Sequence, residues 1–477
     1  MENLKEKTAK GLMWGAVNNG TMQVLNLLIG IVILNHVTPE DTGLIGMLAI
    51  FSAIAGNLQS SGFSTALINE KEPTDQQYNS VFWFNILMGG SLYVLLFLAA
   101  PLIAQFFHQP RLTDLSRFLF LSFFISSFGI STNAYMVKNM MNREITIVNL
   151  CALVVSGSTA IVMALSGMGY WSLAWQQVVN AAILVAGRFC YVRWKPSMAF
   201  SLGYIRQTFS FSMKILVTMI VNTVNQHMLT VIFGRLFRNA SVVGNFFQAY
   251  KWDSMAFQTV GGMVGQVAQP VLVSVRDEQQ REQQVFRKML RFTSFLSFPA
   301  LFGLALVAEE FILCTIGEVW HDCVPLLQIL CLSGAFMPLF TLYQNLVISH
   351  GRSDINMWLN VGQIVLQLVV VLLTYSHGIT AMVVAYSAFN ILWLVAWQPF
   401  AKRLIGLRLL DVLRDVAPFM VVAAVVMVVT RYATLAVGNL WLLLVVRVVV
   451  AALLYYAVMR LLHVAILNEC LQFIRKK

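Results

Sequence analysis

Apolar runs of about 20 residues recur along the whole chain, separated by short polar breaks, and this repetition constrains the fold more than any other feature. A run of that length crosses the hydrocarbon of a bilayer as a helix, where each backbone N–H and C=O finds its partner within the segment itself. Composition agrees. The 477 residues are 58% hydrophobic and 11% charged, with a mean hydropathy of +0.73, whereas soluble domains carry roughly 25% charged residues. The runs read as an all-α membrane protein of about fourteen helices: 10–35, 42–67, 79–104, 115–137, 145–167, 170–190, 208–233, 243–267, 288–311, 324–347, 354–375, 379–400, 415–434 and 440–462. No break is long enough to bury a soluble core of its own. The first run is too long for the apolar part of a secretory signal and reads as a retained span.

Lysine and arginine crowd alternate breaks, from Lys5, Lys7 and Lys10 through Arg193 and Lys195 to Arg475, Lys476 and Lys477. The opposite breaks hold Arg111, Arg117, Arg235, Arg238 and Arg431. Cytoplasmic loops are the Lys/Arg-rich ones, so both termini are expected in the cytoplasm. The formal charge of +11 is spread over short loops on one side, which argues against a nucleic-acid footprint. Six cysteines show no metal-ligand spacing; Cys314 and Cys323 flank an outward loop, where a disulfide is one option. No nucleophile with a base partner, phosphate-cradling glycine loop or HExxH appears, so the chain reads as a non-enzyme without cofactor.

Two stretches resemble each other at an offset of 201 residues: "LNHVTPEDTGLIGM" from Leu34 and "RLFRNASVVGNFFQ" from Arg235. Each leaves one helix, turns, and opens the next on a glycine, Gly43 or Gly244, and each is followed by an acidic, Gln-rich loop. Six spans separate the copies, so the repeat is parallel. The expected organisation is an N-terminal lobe over 1–200, a second six-helix lobe over 201–405, and two further helices with a tail over 406–477. Repeated bundles of this kind suit transporters working by alternating access.

Several blocks then carry a resemblance: "TPEDTGLIGM" at 38–47, "GFSTALI" at 62–68, "VFWFN" at 81–85, "GNFFQAYKW" at 244–252, "GQVAQPVLVSVRDE" at 265–278, "GEVWHDCVPLLQIL" at 317–330 and "SHGRSDI" at 349–355. In order, over nearly the whole chain, they resemble the Wzx-type polysaccharide exporters of the multidrug/oligosaccharidyl-lipid/polysaccharide flippase superfamily. The resemblance implies a bacterial inner-membrane flippase, working as a monomer among membrane lipids. Its implied cargo is an undecaprenyl-pyrophosphate-linked oligosaccharide, moved from the cytoplasmic to the periplasmic leaflet with possible H⁺ or Na⁺ coupling. The alternative is a MATE-like small-molecule efflux pump of the same fold.

Such a cargo calls for cations facing phosphate and amides facing sugar. An ionisable side chain within a span is costly and marks a functional site by default. Lys251 shares a helical face with Gly244, Gln248, Met255, Gln258 and Gly262, about 12 Å below the outer helix end. Lys214, Asn222 and Asn225 form a stripe on the preceding helix, and Asn18 and Asn26 are polar positions of the first. These eight residues (Lys251, Gln248, Gln258, Lys214, Asn222, Asn225, Asn18 and Asn26) are the expected substrate contacts. Lys251, Gln248 and Asn225 are expected to wall a central cavity. Asp253 points about 200° away from Lys251 and cannot neutralise it. It is read first as the partner of a cation on a neighbouring helix, and second as the site of a coupling ion. The interiors of the first six spans show no clear ionisable residue, which weighs against drug export and leaves the contribution of that half open.

Overall fold

The computed structural model describes residues 20–60, 63–464 and 466–467, and the side chains of all of these except 58–60, 207–215, 217, 218 and 222. Asn18 lies outside the described residues, as do the side chains of Lys214 and Asn222. Among the described residues every regular element is helical. The helices are α1 (Gly20–Leu34), α2 (Pro39–Ser60), α3 (Phe63–Asn69), α4 (Asp75–Phe107), α5 (Leu112–Leu119), α6 (Leu121–Ser127), α7 (Ile130–Lys138), α8 (Asn142–Leu165), α9 (Tyr170–Tyr191) and α10 (Leu202–Phe237). There follow α11 (Ala240–Val275), α12 (Gln279–Leu306), α13 (Ala308–Thr315), α14 (Cys323–Gly334), α15 (Met337–Ser349), α16 (Ser353–Leu373), α17 (Gly378–Ile405), α18 (Leu409–Ala433) and α19 (Leu440–Leu461). They fall on the fourteen expected runs. Nineteen segments arise because some runs are broken.

Local chemistry accounts for the breaks and ends. At the start of α4, Thr74 and Gln77 form a reciprocal capping box; at its end His108 takes a left-handed conformation with φ 55°. The run expected at 115–137 becomes α5, α6 and α7, bent by 43° ahead of α7. Gly129 sits at that break, and Ser122 and Ser127 donate back to the carbonyls of Leu119 and Phe124 at 2.6 Å, competition of the kind that bends helices. Between α14 and α15 the carbonyl of Ala335 accepts a 2.7 Å hydrogen bond from Ser297 on α12.

The chain divides into two compact units, Met1–Gly244 and Asn245–Lys477. In the first, α8 packs along α9, α4 packs on α5 and α6, and α10 packs on α2 and α4. Phe82 is ringed by Trp83, Phe128, Phe189 and Trp194 with centroids 5.4–6.3 Å apart. Lys138 donates to the carbonyls of Ile68 and Glu70, pinning α7 to the end of α3. Asn57 bonds Thr223 at 2.5 Å, tying α2 to α10, while Asn85 is buried and bonds Val81. Both therefore act in packing.

In the second unit α12 packs on α18, α14 and α16 pack on α17, and α19 packs on α13 and α18. Arg287 holds Asp415 at 2.6 Å and Arg291 approaches it at 3.2 Å, joining α12 to α18. Glu310 and Arg447 form a buried ion pair between α13 and α19, with Thr434 accepting from the Arg447 Nε at 3.2 Å. Cys314 and Cys323 are unpaired.

Candidate functional site

Lys251 and Asp253 are two residues apart on α11 and occupy opposite environments. Lys251 is exposed, makes no ion pair among the described residues, and lies with Nζ 6.0 Å from the centre of the Trp252 ring. Along its face Gln258 is exposed and the space beside Gly262 is open, whereas Gln248 is buried at 2% exposure with no hydrogen-bond partner for its Nε2. The polar face is thus open from Lys251 towards Gly262 and packed ahead of it. Gly244, the first residue of the face, packs against Pro39: a Cβ there would collide with the Pro39 carbonyl oxygen.

Asp253 is 3% exposed and meets no cation among the described residues, so the expected ion pair with a neighbouring helix does not form. Its partner is the thiol of Cys331 on α14, and it lies so close to Gly334 that a Cβ there would collide with Oδ1. Tyr250 and Tyr386 are near enough to feel its charge. Further polar side chains are buried in the same unit. Gln363 on α16 donates to Asn390 on α17 at 3.0 Å, and Ser333 donates to Ser387 at 3.2 Å. The fully buried Gln367 and the buried Asn390 both lie beside the Tyr386 hydroxyl. Among the described residues, no three His, Cys, Asp or Glu side chains converge as a metal-binding set.

The first unit contains an open cavity of about 680 Å³ lined by α1, α2, α3, α6, α7, α8 and α9. Asn26, one of the expected substrate contacts, lines it; Asn225 is half-buried elsewhere on α10. Its other polar groups include Asn133, Gln177, Asn180 and Arg188, none of which was among the expected contacts. Arg188 corrects the expectation of an uncharged interior for the first six spans. Its place in the last turn of α9 made it look like a loop charge. The available signal was the spacing of Gln177, Asn180, Leu184 and Arg188, which puts them on one stripe. Arg447 was also missed, although it is the one charge inside the apolar run of α19 before its last turn.

The arrangement defines a membrane protein whose polar and charged groups lie inside long helices, a property of transporters. Comparison with solved structures agrees at the level of fold. The chain is similar to a lipid II flippase, MurJ, in an inward closed conformation, with a TM-score of 0.73 over 94% of this chain and 99% of that one at 12% identity. The profile of the polysaccharide biosynthesis protein family matches residues 36–325, and the chain belongs to this family. Among its relatives are the lipopolysaccharide biosynthesis protein WzxC of Escherichia coli K12, 26% identical over 75% of this chain and 73% of the relative. The teichuronic acid biosynthesis protein TuaB of Bacillus subtilis 168 is 24% identical over 86% of this chain and 83% of the relative.

Proposed function

We propose that the protein flips a polyprenyl-pyrophosphate-linked oligosaccharide from the cytoplasmic to the periplasmic leaflet of a bacterial inner membrane, by alternating access, for the synthesis of a surface polysaccharide. Family membership supports the cargo class, since relatives are named for lipopolysaccharide and teichuronic acid synthesis. The flippase fold supports the transport step. The observation that carries the reading to residues is Lys251, an exposed cation within a long helix that no described carboxylate neutralises. Such a charge matches a phosphate-bearing headgroup, and Gln258 on the same face offers an amide to sugar hydroxyls. Small-molecule efflux finds less support: the polar groups lining the cavity of the first unit are amides, serines and one arginine, beside apolar residues such as Phe123 and Leu153, with no carboxylate for a cationic drug among the described residues.

Asp253 is the proposed coupling site. A buried carboxylate without a cation is tolerated when it can take up a proton or a small cation, and the hydroxyls and amides packed in the same unit supply neutral oxygens. Both termini are proposed to face the cytoplasm, from the loop charges.

The test is export of the lipid-linked glycan in cells. Lys251→Ala is expected to abolish it at unchanged protein level, and Lys251→Arg to keep part of it, because the charge survives while its geometry changes. Full export by the alanine variant would remove Lys251 from the mechanism.

A further inference from the structure

Arg188 lines the cavity of the first unit. From the last turn of α9 its side chain reaches sideways, and Nη1 donates to the carbonyl of Gly129 at 3.2 Å, at the break between α6 and α7. A Cβ on Gly129 would lie 3.2 Å from that nitrogen and 3.0 Å from Val185 Cγ2, so the glycine leaves the guanidinium its seat. A guanidinium has five N–H donors, and this contact uses one. Among the described residues Arg188 enters no ion pair, and no Asp or Glu lines the cavity it faces.

Apolar side chains, Met22, Phe123, Ile130, Leu153 and Leu184 among them, form part of the remaining lining, and its polar groups point to a specific kind of ligand. From Gln177 to Arg188 the cavity runs about 16 Å along α9, at 1.5 Å per residue. Asn26, Asn133 and Asn180 add amides from α1, α7 and α9, and Ser126 and Ser156 add hydroxyls. Asn180 Nδ2 bonds Ser156 at 3.3 Å. Amides both donate and accept, which suits a ring of hydroxyls, and the planar guanidinium fork matches a carboxylate. At about 680 Å³ the cavity is of the size that holds a compact organic ligand.

We propose that this cavity binds an acidic sugar, a pyranose bearing a carboxylate, with Arg188 on the carboxylate and the surrounding amides on the hydroxyls. The proposal rests on the glycan-transport reading and narrows it: the cargo carries a uronic-acid type residue, and the first unit reads it. Capping of the Gly129 carbonyl is the structural duty of Arg188, and it leaves the remaining donors of the fork for the ligand.

The experiment is calorimetric titration of the full chain, held in nanodiscs of phosphatidylcholine, with a glucuronate-bearing disaccharide and with the same disaccharide after its carboxylate is reduced to an alcohol. The acidic form is expected to bind at least about tenfold more tightly, the lower end for a charge-assisted hydrogen-bonded pair. Arg188→Gln should erase that preference while keeping affinity for the reduced form, and Arg188→Lys, which keeps the charge but not the fork, should retain part of it. Equal binding of the two sugars by the wild type, or an undiminished preference in the folded Arg188→Gln or Arg188→Lys protein, overturns the proposal. So does competition by short-chain phosphatidylglycerol without any sugar preference, which would make the cavity a lipid-headgroup site. A protein that exports glycan yet shows no acid preference loses this subsite alone; one that prefers the acid yet exports nothing loses the transport reading alone.

Discussion

Two charges two residues apart on α11 show how far a residue's sequence position falls short of its role. The exposure of Lys251 was legible, because it stands among amides and glycines on one helical face. Asp253 was not, because its reading depended on whether a neighbouring helix supplied a cation, and the neighbour supplies a thiol instead. That outcome decides what removing the charge should do. Asp253→Asn keeps the volume and an acceptor for Cys331, and strands no cation among the described residues, so its stability should change by no more than about 1 kcal/mol. Reconstituted transport should lose its dependence on the proton or sodium gradient. A thermal-unfolding measurement showing a loss of several kcal/mol would instead reveal a cation that depends on Asp253. Arg188 was hidden for the opposite reason: near a helix end, direction decides whether an arginine anchors or points inward, and sequence carries position without direction.

At the scale of elements, the repeated glycines prove to be contact residues. A Cβ on Gly43 would collide with the carbonyl oxygen of Ala240, and one on Gly244 with that of Pro39, so the starts of α2 and α11 meet backbone to backbone. Backbone atoms cannot step aside as a flexible side chain does. Gly43→Ala or Gly244→Ala should therefore cost about 1–3 kcal/mol in unfolding experiments. Gly262→Ala, with nothing within 4 Å, should cost nothing measurable and serves as the control. The turn after α4 makes a second prediction. Partial withdrawal from water, with the charges of Arg238 and Arg235, holds His108 below its ordinary value of 6.5, and the neutral ring faces Arg235 Nη1 at 3.0 Å. A depressed histidine contributes stability that is complete above the ordinary value and lost as pH falls through the folded one. Melting temperature should therefore be level above that value and fall below it, and His108→Gln should flatten the decline. An unchanged slope in the variant would place the titration elsewhere. Breaks were harder to foresee than helices: 115–137 reads as one apolar run despite its serines, and its division into α5, α6 and α7 follows from serine back-bonding and a glycine that hydropathy does not weigh.

For the whole molecule, the charge bias makes a direct prediction of topology. A reporter inserted at Arg193–Lys195 should read as cytoplasmic, and one at Gln109–Arg111 as periplasmic; the reverse pattern would overturn the proposed orientation. What the sequence by itself determined is the class: fourteen apolar runs, their order, their bias of charge and the block pattern of a polysaccharide exporter. Those are properties of one chain against a bilayer, and hydropathy reads them because each span satisfies its own backbone before it meets a neighbour. The tertiary structure alone decided what the polar groups inside the spans do. The thiol beside Asp253, the carbonyl beneath Arg188, the pairing of Glu310 with Arg447 and the crossing at Gly43 all join residues distant in sequence. In a low-dielectric interior a polar group is defined by the partner it finds, and only packing chooses that partner.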